Sequence, residues 1–493
     1  MSVLRQQRVR AVPTVAVLAL AFILVAAAGV LAPPAPSGGP GVWTDVSGSV
    51  GASSLVEPKV ARDSAGVLHV VWITEGATQD LKQRSIAADG SAGAEQTLAQ
   101  GWGTLSNPAI VYAPATPTPF QVFAGGIRGS QPGDSHEGMS LWTSPDGTTW
   151  TLQPGVVSGP GGTAYGSDVS AVLTPSAVFQ TWFSTFGVFV HKGVQNGGDR
   201  DANDVGQYGY NSAFAYDSGA DRLWVVAAYN ATGKPGLWIR EIDQATGDPI
   251  GSSSQLPGSA TDYAGTPSFD MKIMPVPATG LSGQSGVIFA YPTGYPSATQ
   301  LRVWRVAGGS TTSTVLAGGT GAKGATAVAA APDGRAWVVW ADNAGGARRI
   351  YASRSDVGAT AWGAVTSAAV PTGTDALWQL AASAQADGRL DVLAQASKSN
   401  DNRIYHTQLY AGLDVTVAPK SAKAKKAFTA TVTVRDAGAP VAGAAVSAAG
   451  KSAVTDGSGV ARLQLKAAKA GKLTVTVKKD GYQTATAVVT VKR

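Results

Sequence analysis

The stretch Gly66-Val67-Leu68-His69-Val70-Val71-Trp72 is followed by Leu81-Lys82-Gln83-Arg84-Ser85 and then by Glu95-Gln96-Thr97-Leu98. Far downstream, Gly334-Arg335-Ala336-Trp337-Val338-Val339-Trp340 is followed by Arg349-Ile350-Tyr351-Ala352-Ser353-Arg354 and by Ala361-Trp362-Gly363-Ala364-Val365. The two stretches have the same parts: a β-branched or aromatic run, a second alternating run, and a shorter third one. Leu223-Trp224-Val225-Val226 with Leu237-Trp238-Ile239-Arg240, and Leu390-Asp391-Val392-Leu393 with Arg403-Ile404-Tyr405-His406, repeat the pattern. Alternation with period two, bounded by Gly, Pro, Asp and Ser, is the signature of short strands joined by tight turns. No amphipathic helical period follows residue 32.

Each unit opens on a small-residue or Pro-led strand, at Pro58, Pro108, Val169, Ala213, Pro267, Ala327 and Leu380. That spacing is close to the roughly 40–50 residues of a four-stranded blade. Four short strands cannot bury both faces of their sheet alone, and radial stacking buries them, so the array predicts a seven-bladed β-propeller over residues 42–412. The last unit stops after a third strand near Leu409. Val42-Trp43-Thr44-Asp45-Val46 resembles an outermost strand and is expected to complete the last blade, leaving no open edge.

Leu141-Trp142-Thr143-Ser144-Pro145-Asp146-Gly147-Thr148-Thr149-Trp150 resembles the Asp-box hairpin of sialidase-like propellers, one residue short of the Ser-x-Asp-x-Gly-x-Thr-Trp pattern. Asp-Gly pairs are also common hairpin turns in their own right. The resemblance implies a propeller. A sialidase would in addition need three convergent arginines, a general acid and an activated tyrosine. The Arg-Ile-Pro motif of that family is absent, and Arg128, Tyr291 and Tyr295 are the residues at hand.

From Leu413 the composition changes, with no Trp and single Phe and Tyr residues. Asp436-Ala437-Gly438-Ala439-Pro440, Thr455-Asp456-Gly457-Ser458-Gly459 and Gly481-Tyr482 punctuate alternating strands, which predicts a β-sandwich over residues 413–493. The stretch resembles bacterial Ig-like or carboxypeptidase-regulatory-like domains, a likeness that implies a spacer or adhesive unit. It holds 14 basic side chains against 4 acidic ones, whereas residues 33–412 hold 21 basic against 28 acidic. Lys420, Lys423, Lys425 and Lys426 form a local cluster, a candidate contact for an anionic cell-wall polymer or lipid headgroups of the envelope. The lysines are spread over several strands without interleaved aromatics, so nucleic acid is not expected as a partner.

The chain of 493 residues is 44% apolar and only 14% charged, which excludes disorder, and it has no cysteine, which excludes disulfides and thiolate metal sites. Arg5, Arg8 and Arg10 precede an apolar run from Val15 to Ala32, the pattern of a signal peptide or N-terminal membrane anchor over residues 1–32. Residues 33–41, with four Pro, read as a tether. Export, with secretion or anchoring at the bacterial cell surface, is the expectation.

No phosphate-binding loop, dinucleotide fingerprint, zincin helix or nucleophile elbow is present. His69, His136, His191 and His406 are too scattered for metal-ligand spacing, and His69 and His406 fall on repeat positions, which points to packing. The densest polar loop, Gly133-Asp134-Ser135-His136-Glu137-Gly138, joins two strands of one blade; with Arg128 nearby, Asp134, His136 and Glu137 are the candidate ligand-binding residues. Asp199, Asp201 and Asn203 resemble the start of a Ca²⁺ loop, with oxygen ligands at alternate positions but without Gly at the sixth and Glu at the twelfth. No other cofactor is indicated. The sequence thus predicts an all-β, exported binding protein whose propeller presents a site for a glycan or surface protein. A sialidase-like glycoside hydrolase and a structural envelope component are the alternatives.

Overall fold

The computed structural model describes residues 41–52, 56–127, 136–155, 157–158, 169–184, 187–195, 197–205, 209–231, 234–259, 276–294, 297–343 and 348–493. Among them there is no helix. Seven antiparallel sheets run in chain order, here numbered I to VII. Their innermost strands are Lys59–Arg62, Ala109–Tyr112, Val169–Leu173, Gly209–Asp217, Ala278–Gly280, Lys323–Ala330 and Ala376–Ala384. Each packs on the next, and the last packs on the first, so the strands form a closed ring about an axis, a β-propeller. Sheet II has an extra short inner strand, Thr104–Leu105.

The fifth unit differs from the sequence reading. Its inner strand is Ala278–Gly280, behind Pro277. Pro267, expected to open the unit, lies outside the described residues. Both prolines precede short alternating runs, and local pattern cannot choose between them; the pairing of Ala278 with Phe289 does.

Sequence dictates the radial order. Second strands such as Leu68–Thr74, Val287–Thr293 and Ala336–Asp342 are sandwiched between neighbouring sheets and buried on both faces, so they read as nearly continuous apolar runs. Outer strands such as Ser310–Leu316 are mostly exposed and rich in Ser and Thr. Near the axis, where the strands crowd, side chains are small: Ala109, Ala171, Ala213, Ala278, Ala327 and Ala381 line it. Farther out, wide gaps between sheets are filled by Trp72, Trp142, Trp182, Trp304, Trp337 and Trp340, all fully buried.

The outer strand of sheet VII comes from the other end of the repeat array. Thr44–Gly51 pairs antiparallel with Asp401–Leu409, Thr44 opposite His406 and Asp45 opposite Tyr405. Val46 and Val50 are fully buried there. Ser47 Oγ accepts from the Ile404 amide at 2.9 Å, and Thr407 Oγ1 donates to the Val42 carbonyl at 2.8 Å.

Residues 413–493 form two facing sheets. One holds Asp414–Ala418, Ala427–Asp436, Ala439–Pro440 and Val460–Lys466; the other holds Ser421–Lys423, Ala445–Ala448, Lys451–Val454, Gly471–Lys478 and Ala485–Lys492. Alternate residues point inward, as in Val460–Lys466. Val432, Val434, Val446, Leu463, Val475, Val477 and Val489 make the shared core. This sandwich meets the propeller at the hairpins of sheets VI and VII, where Ala411 bridges to Tyr482 and Arg354 donates to the Gly388 carbonyl and to Asp436.

Candidate functional site

The axial channel has two sections. The narrower, about 210 Å³, is lined by residues of all seven inner strands. The wider, about 610 Å³, opens between sheets III, IV and V toward Ala330 of sheet VI. They share Ser170, Ala171 and Ala278, so they are consecutive parts of one passage.

At the narrow end, the segment entering sheet I places Glu57 and Lys59, which form an ion pair. They are the only ionisable side chains lining this section among the described residues. The Glu57 amide donates to Asn107 Oδ1 at 3.0 Å, and the Asn107 carbonyl accepts from the Val169 amide at 3.1 Å, so one Asn ties sheets I, II and III together. Buried polar groups are tolerated here because they are partnered in this way.

The wide end lies on the side of the hairpins that join first and second strands. Its floor is Phe214, Ala215, Ala278 and Leu281, and its walls carry Tyr216, Ser218, Thr279 and Ser282, with partly exposed Leu173 at the rim. Among the described residues, the Tyr216 phenol is the one ionisable group that lines it. The Tyr216 hydroxyl donates to Asp221 Oδ1 at 2.8 Å, and Gln244 Nε2 donates to the same carboxylate at 2.9 Å. Burial first, and then the Asp221 carboxylate, push the Tyr216 hydroxyl up to about 12, so it stays a neutral phenol at any ordinary pH. The Gln244 and Tyr216 hydrogen bonds hold Asp221 below its usual range.

Two hairpins lock the rim. Ser218 Oγ donates to the Leu281 carbonyl at 3.0 Å and accepts from the Gly283 amide at 3.2 Å. Gly280 makes the approach possible: a Cβ there would sit 1.6 Å from the Tyr216 carbonyl oxygen. The cleft is therefore built by backbone contact between sheets IV and V.

The residues singled out by sequence lie elsewhere. Arg128 and Asp134 fall outside the described residues. His136 and Glu137 open a strand of sheet II, opposite Ile127 and Gly126, at the narrow end of the channel. Tyr291 is buried in the apolar cluster of sheets IV and V and lines neither section; Tyr295 is outside the described residues.

Asp199, Asp201 and Asn203, singled out as the start of a Ca²⁺ loop, each have a protein partner in this structure. Asp199 pairs with buried His191 at 2.9 Å, Asp201 Oδ1 accepts from the Asn203 amide, and Asn203 Oδ1 from the Val205 amide. Among the described residues no group of three or more His, Cys, Asp or Glu could hold a metal. His69 packs 4.3 Å from the Phe120 ring and contacts Asp63 at 3.1 Å; burial pushes its imidazole down, favouring the neutral form. The hairpin at Asp146 is a turn brace: its carboxylate accepts from the Thr148 and Thr149 amides at 2.8 and 2.7 Å, which hold it well below the usual range. Asp356 does the same for Thr360 and Ala361 in sheet VI, a second copy that the extra residue before Trp362 hides in the sequence.

Sequence reasoning missed Tyr216, Ser218, Thr279 and Ser282. The available signal was the pair of hydroxyl-bearing hairpins, Tyr216-Asp217-Ser218-Gly219 and Leu281-Ser282-Gly283, at equivalent positions of consecutive units.

No family model matches the chain, and no curated protein does. Among solved structures, the BP39L lectin of Burkholderia pseudomallei aligns over 81% of this chain and 98% of its own, at 13% identity and a TM-score of 0.49. An α-L-arabinanase of Penicillium chrysogenum, solved with arabinobiose, aligns over 74% and 97% at 11% identity and a TM-score of 0.41. An ulvan lyase of polysaccharide lyase family PL25 aligns over 76% and 95% at 10% identity and a TM-score of 0.42. These similarities are low, and the architecture described above rests on strand pairing.

Proposed function

We propose that this chain is an exported binding protein that holds a neutral glycan in the wide end of the axial channel and does not hydrolyse it. The reading rests on one observation: this cleft combines apolar residues and a half-buried tyrosine with hydroxyls and backbone groups, and among the described residues no charged side chain lines it. Sugars present C–H faces to apolar surface and hydroxyls to neutral donors and acceptors, and such a lining suits both. Hydrolysis of a glycoside needs two carboxyl groups about 5–9.5 Å apart. Among the described residues lining either section, Glu57 is the sole carboxylate, and it is held by Lys59. Among the described residues no arginine lines either section, and the one cation there, Lys59, is paired with Glu57.

In this proposal residues 1–32 direct export, the seven sheets are the blades of a seven-bladed propeller, and residues 413–493 are an Ig-like module that holds the propeller off an envelope. The test is a glycan-array screen of neutral and sialylated oligosaccharides, repeated with Tyr216→Ala and Tyr216→Phe. A neutral glycan is expected to bind, with at least a tenfold loss for Tyr216→Ala and a small one for Tyr216→Phe. Turnover of the bound glycan, or binding indifferent to both changes, overturns the reading.

A further inference from the structure

The charge of the sandwich is sorted by position. Strand Ala427–Asp436 runs from the end distant from the propeller to the end that touches it, since Asp436 bonds to Arg354. Strand Gly471–Lys478 runs the same way and leads to Tyr482, which also touches the propeller. Register then places every charged residue along this axis. The four carboxylates, Asp414, Asp436, Asp456 and Asp480, lie at the propeller end: Asp414 stands opposite Arg435, Asp456 precedes the strand whose Val460 faces Thr433, and Asp480 adjoins Tyr482.

The far tip holds the opposite charge. The Ala424 amide donates to the Lys492 carbonyl at 2.8 Å, the Lys425 amide to the Ala467 carbonyl at 2.8 Å, and Lys466 stands opposite Ala427. These pairings bring Lys423, Lys425, Lys426, Lys466, Lys469 and Lys492 from three separate segments to one end, all exposed. Lys420 flanks them at the level of Thr490, and Lys472 stands opposite Thr490. None of these lysines has an ion-pair partner among the described residues, and no acidic side chain shares the tip. In the propeller Lys59, Lys82 and Lys323 are paired with carboxylates, while Lys192 donates to the Ala245 carbonyl.

Two features of the tip work against stability. Lys423 and Lys492 are direct cross-strand neighbours, and like charges in that position destabilise a sheet. Lys425 occupies a left-handed turn at φ 63°, a conformation that favours glycine.

We propose that this lysine crown is a docking site for a linear polyanion bearing phosphodiester charges, the chemistry of an anionic wall polymer. A lysine is a point-charge partner for phosphate, and releasing counterions from such a chain drives association. The crown caps the end of a two-layer sandwich, about 10 Å thick between sheets, so a chain can follow it from one sheet to the other while a flat membrane meets it at few points. Of the exposed large apolar residues of the domain, Val454 stands opposite Ala445 toward the propeller and Val488 opposite Thr474 at mid-strand, while Phe428 beside the crown is half-buried against the core, so the crown offers a bilayer no freely exposed apolar wedge.

The test measures binding of the full chain to fluorescent poly(glycerol phosphate) from about 50 to 500 mM salt. One variant carries Lys423→Gln, Lys425→Gln, Lys426→Gln and Lys466→Gln. A charge-matched control carries Arg435→Gln, Arg462→Gln, Lys478→Gln and Lys479→Gln, three of them toward the propeller end and Arg462 at mid-strand opposite Thr431. The crown variant is expected to lose at least tenfold at low salt and to flatten the log–log salt slope by about 3, from roughly 0.7 per cation. The control should stay within about twofold of the parent on the same scale. Lys425→Gly separates binding from folding: it should raise the melting temperature, because glycine suits the turn, and still weaken binding. Equal loss in crown and control variants, no loss in the crown variant, or binding to phosphatidylglycerol vesicles without binding to the polymer overturns the proposal.

Discussion

Asp436 of the sandwich and Arg354 of the propeller form a buried ion pair across the boundary between the two, and both side chains are below one-tenth exposed. Arg335 Nη1 donates to the same carboxylate oxygen at 3.2 Å, and so does the Tyr482 hydroxyl at 3.1 Å. Arg354 lies 5.2 Å from the Tyr482 ring centre and 5.6 Å from that of Trp337. Removing one member of a buried pair leaves the other charge without compensation, at a cost of about 3–5 kcal/mol. Asp436→Ala is therefore expected to loosen the two domains from each other. Calorimetry should show the melting of the sandwich separating from that of the propeller, whereas a single unchanged transition would show the pair to be dispensable.

A second buried pair joins sheet VII to sheet I. Asp391 contacts His406 at 2.8 Å and pairs with Arg62 of sheet I. Burial pushes the Asp391 carboxyl up, but the His406 hydrogen bond and charge, with Arg62, outweigh it and hold the group at about 2. A carboxyl whose folded value lies below its unfolded value stabilises the fold above the unfolded value, near 4, and loses that contribution as pH falls toward 2. The size is about 2 kcal/mol. Urea midpoints measured from pH 5 to pH 2 should fall more steeply for the parent than for Asp391→Asn. Parallel curves would remove Asp391 from the account.

Gly280 sets the width of the cleft. A methyl group there meets the Tyr216 carbonyl at 1.6 Å, and backbone cannot rotate away as a side chain can. Gly280→Ala should cost about 1–3 kcal/mol by overpacking and weaken glycan binding with it. Gly457→Ala, where a new Cβ meets nothing within 4 Å, is the control and should change neither. Denaturant titration and the array screen read the two effects separately.

Closure of the ring depends on Thr44–Gly51. Beyond the ladder, Arg403 Nη1 binds Asp45 at 2.7 Å, and Trp43 Nε1 donates to the Ala369 carbonyl at 2.7 Å. Burial of Val46 and Val50 contributes about 1.5–3 kcal/mol each. Deleting residues 42–51 exposes the edge of Asp401–Leu409 and should bring early unfolding of the whole ring together with concentration-dependent association. Light scattering and thermal unfolding check this; a monomer with the parent's melting temperature would contradict it.

The repeat was legible because its cause is local. Continuously buried runs such as Leu68–Thr74 and Leu390–Lys398, alternation along third strands such as Arg349–Arg354, and turns at Asp63–Gly66 and Gln385–Gly388 follow from strand-forming residues in short runs and the conformational freedom of glycine. The unit opening near Pro267 failed because two proline-led runs satisfy the same local rule. The cleft was illegible for a related reason: Tyr216 and Thr279 belong to different repeats, and their nearness depends on how closely Gly280 lets two sheets approach.

The sequence by itself determined the all-β character, the array of four-stranded units, a strand donated from the front of the array, read at Val42–Val46 and lying at Thr44–Gly51, and the alternating sandwich after Leu413. Each is a matter of which residues can lie in a pleated strand and which can turn. It also showed an excess of basic residues after residue 412 and the local cluster Lys420, Lys423, Lys425 and Lys426, but not that Lys466, Lys469 and Lys492 would join that cluster. Tertiary structure alone decided that Asp436 would face Arg354, that hydroxyls from sheets IV and V would line one cleft, and that lysines would gather at the tip while carboxylates gathered at the propeller. Those outcomes depend on cross-strand register and on the distance between sheets, and both are set when the cores pack, because burying Val432, Leu463 and Val475 together fixes the direction of every outward-facing charge.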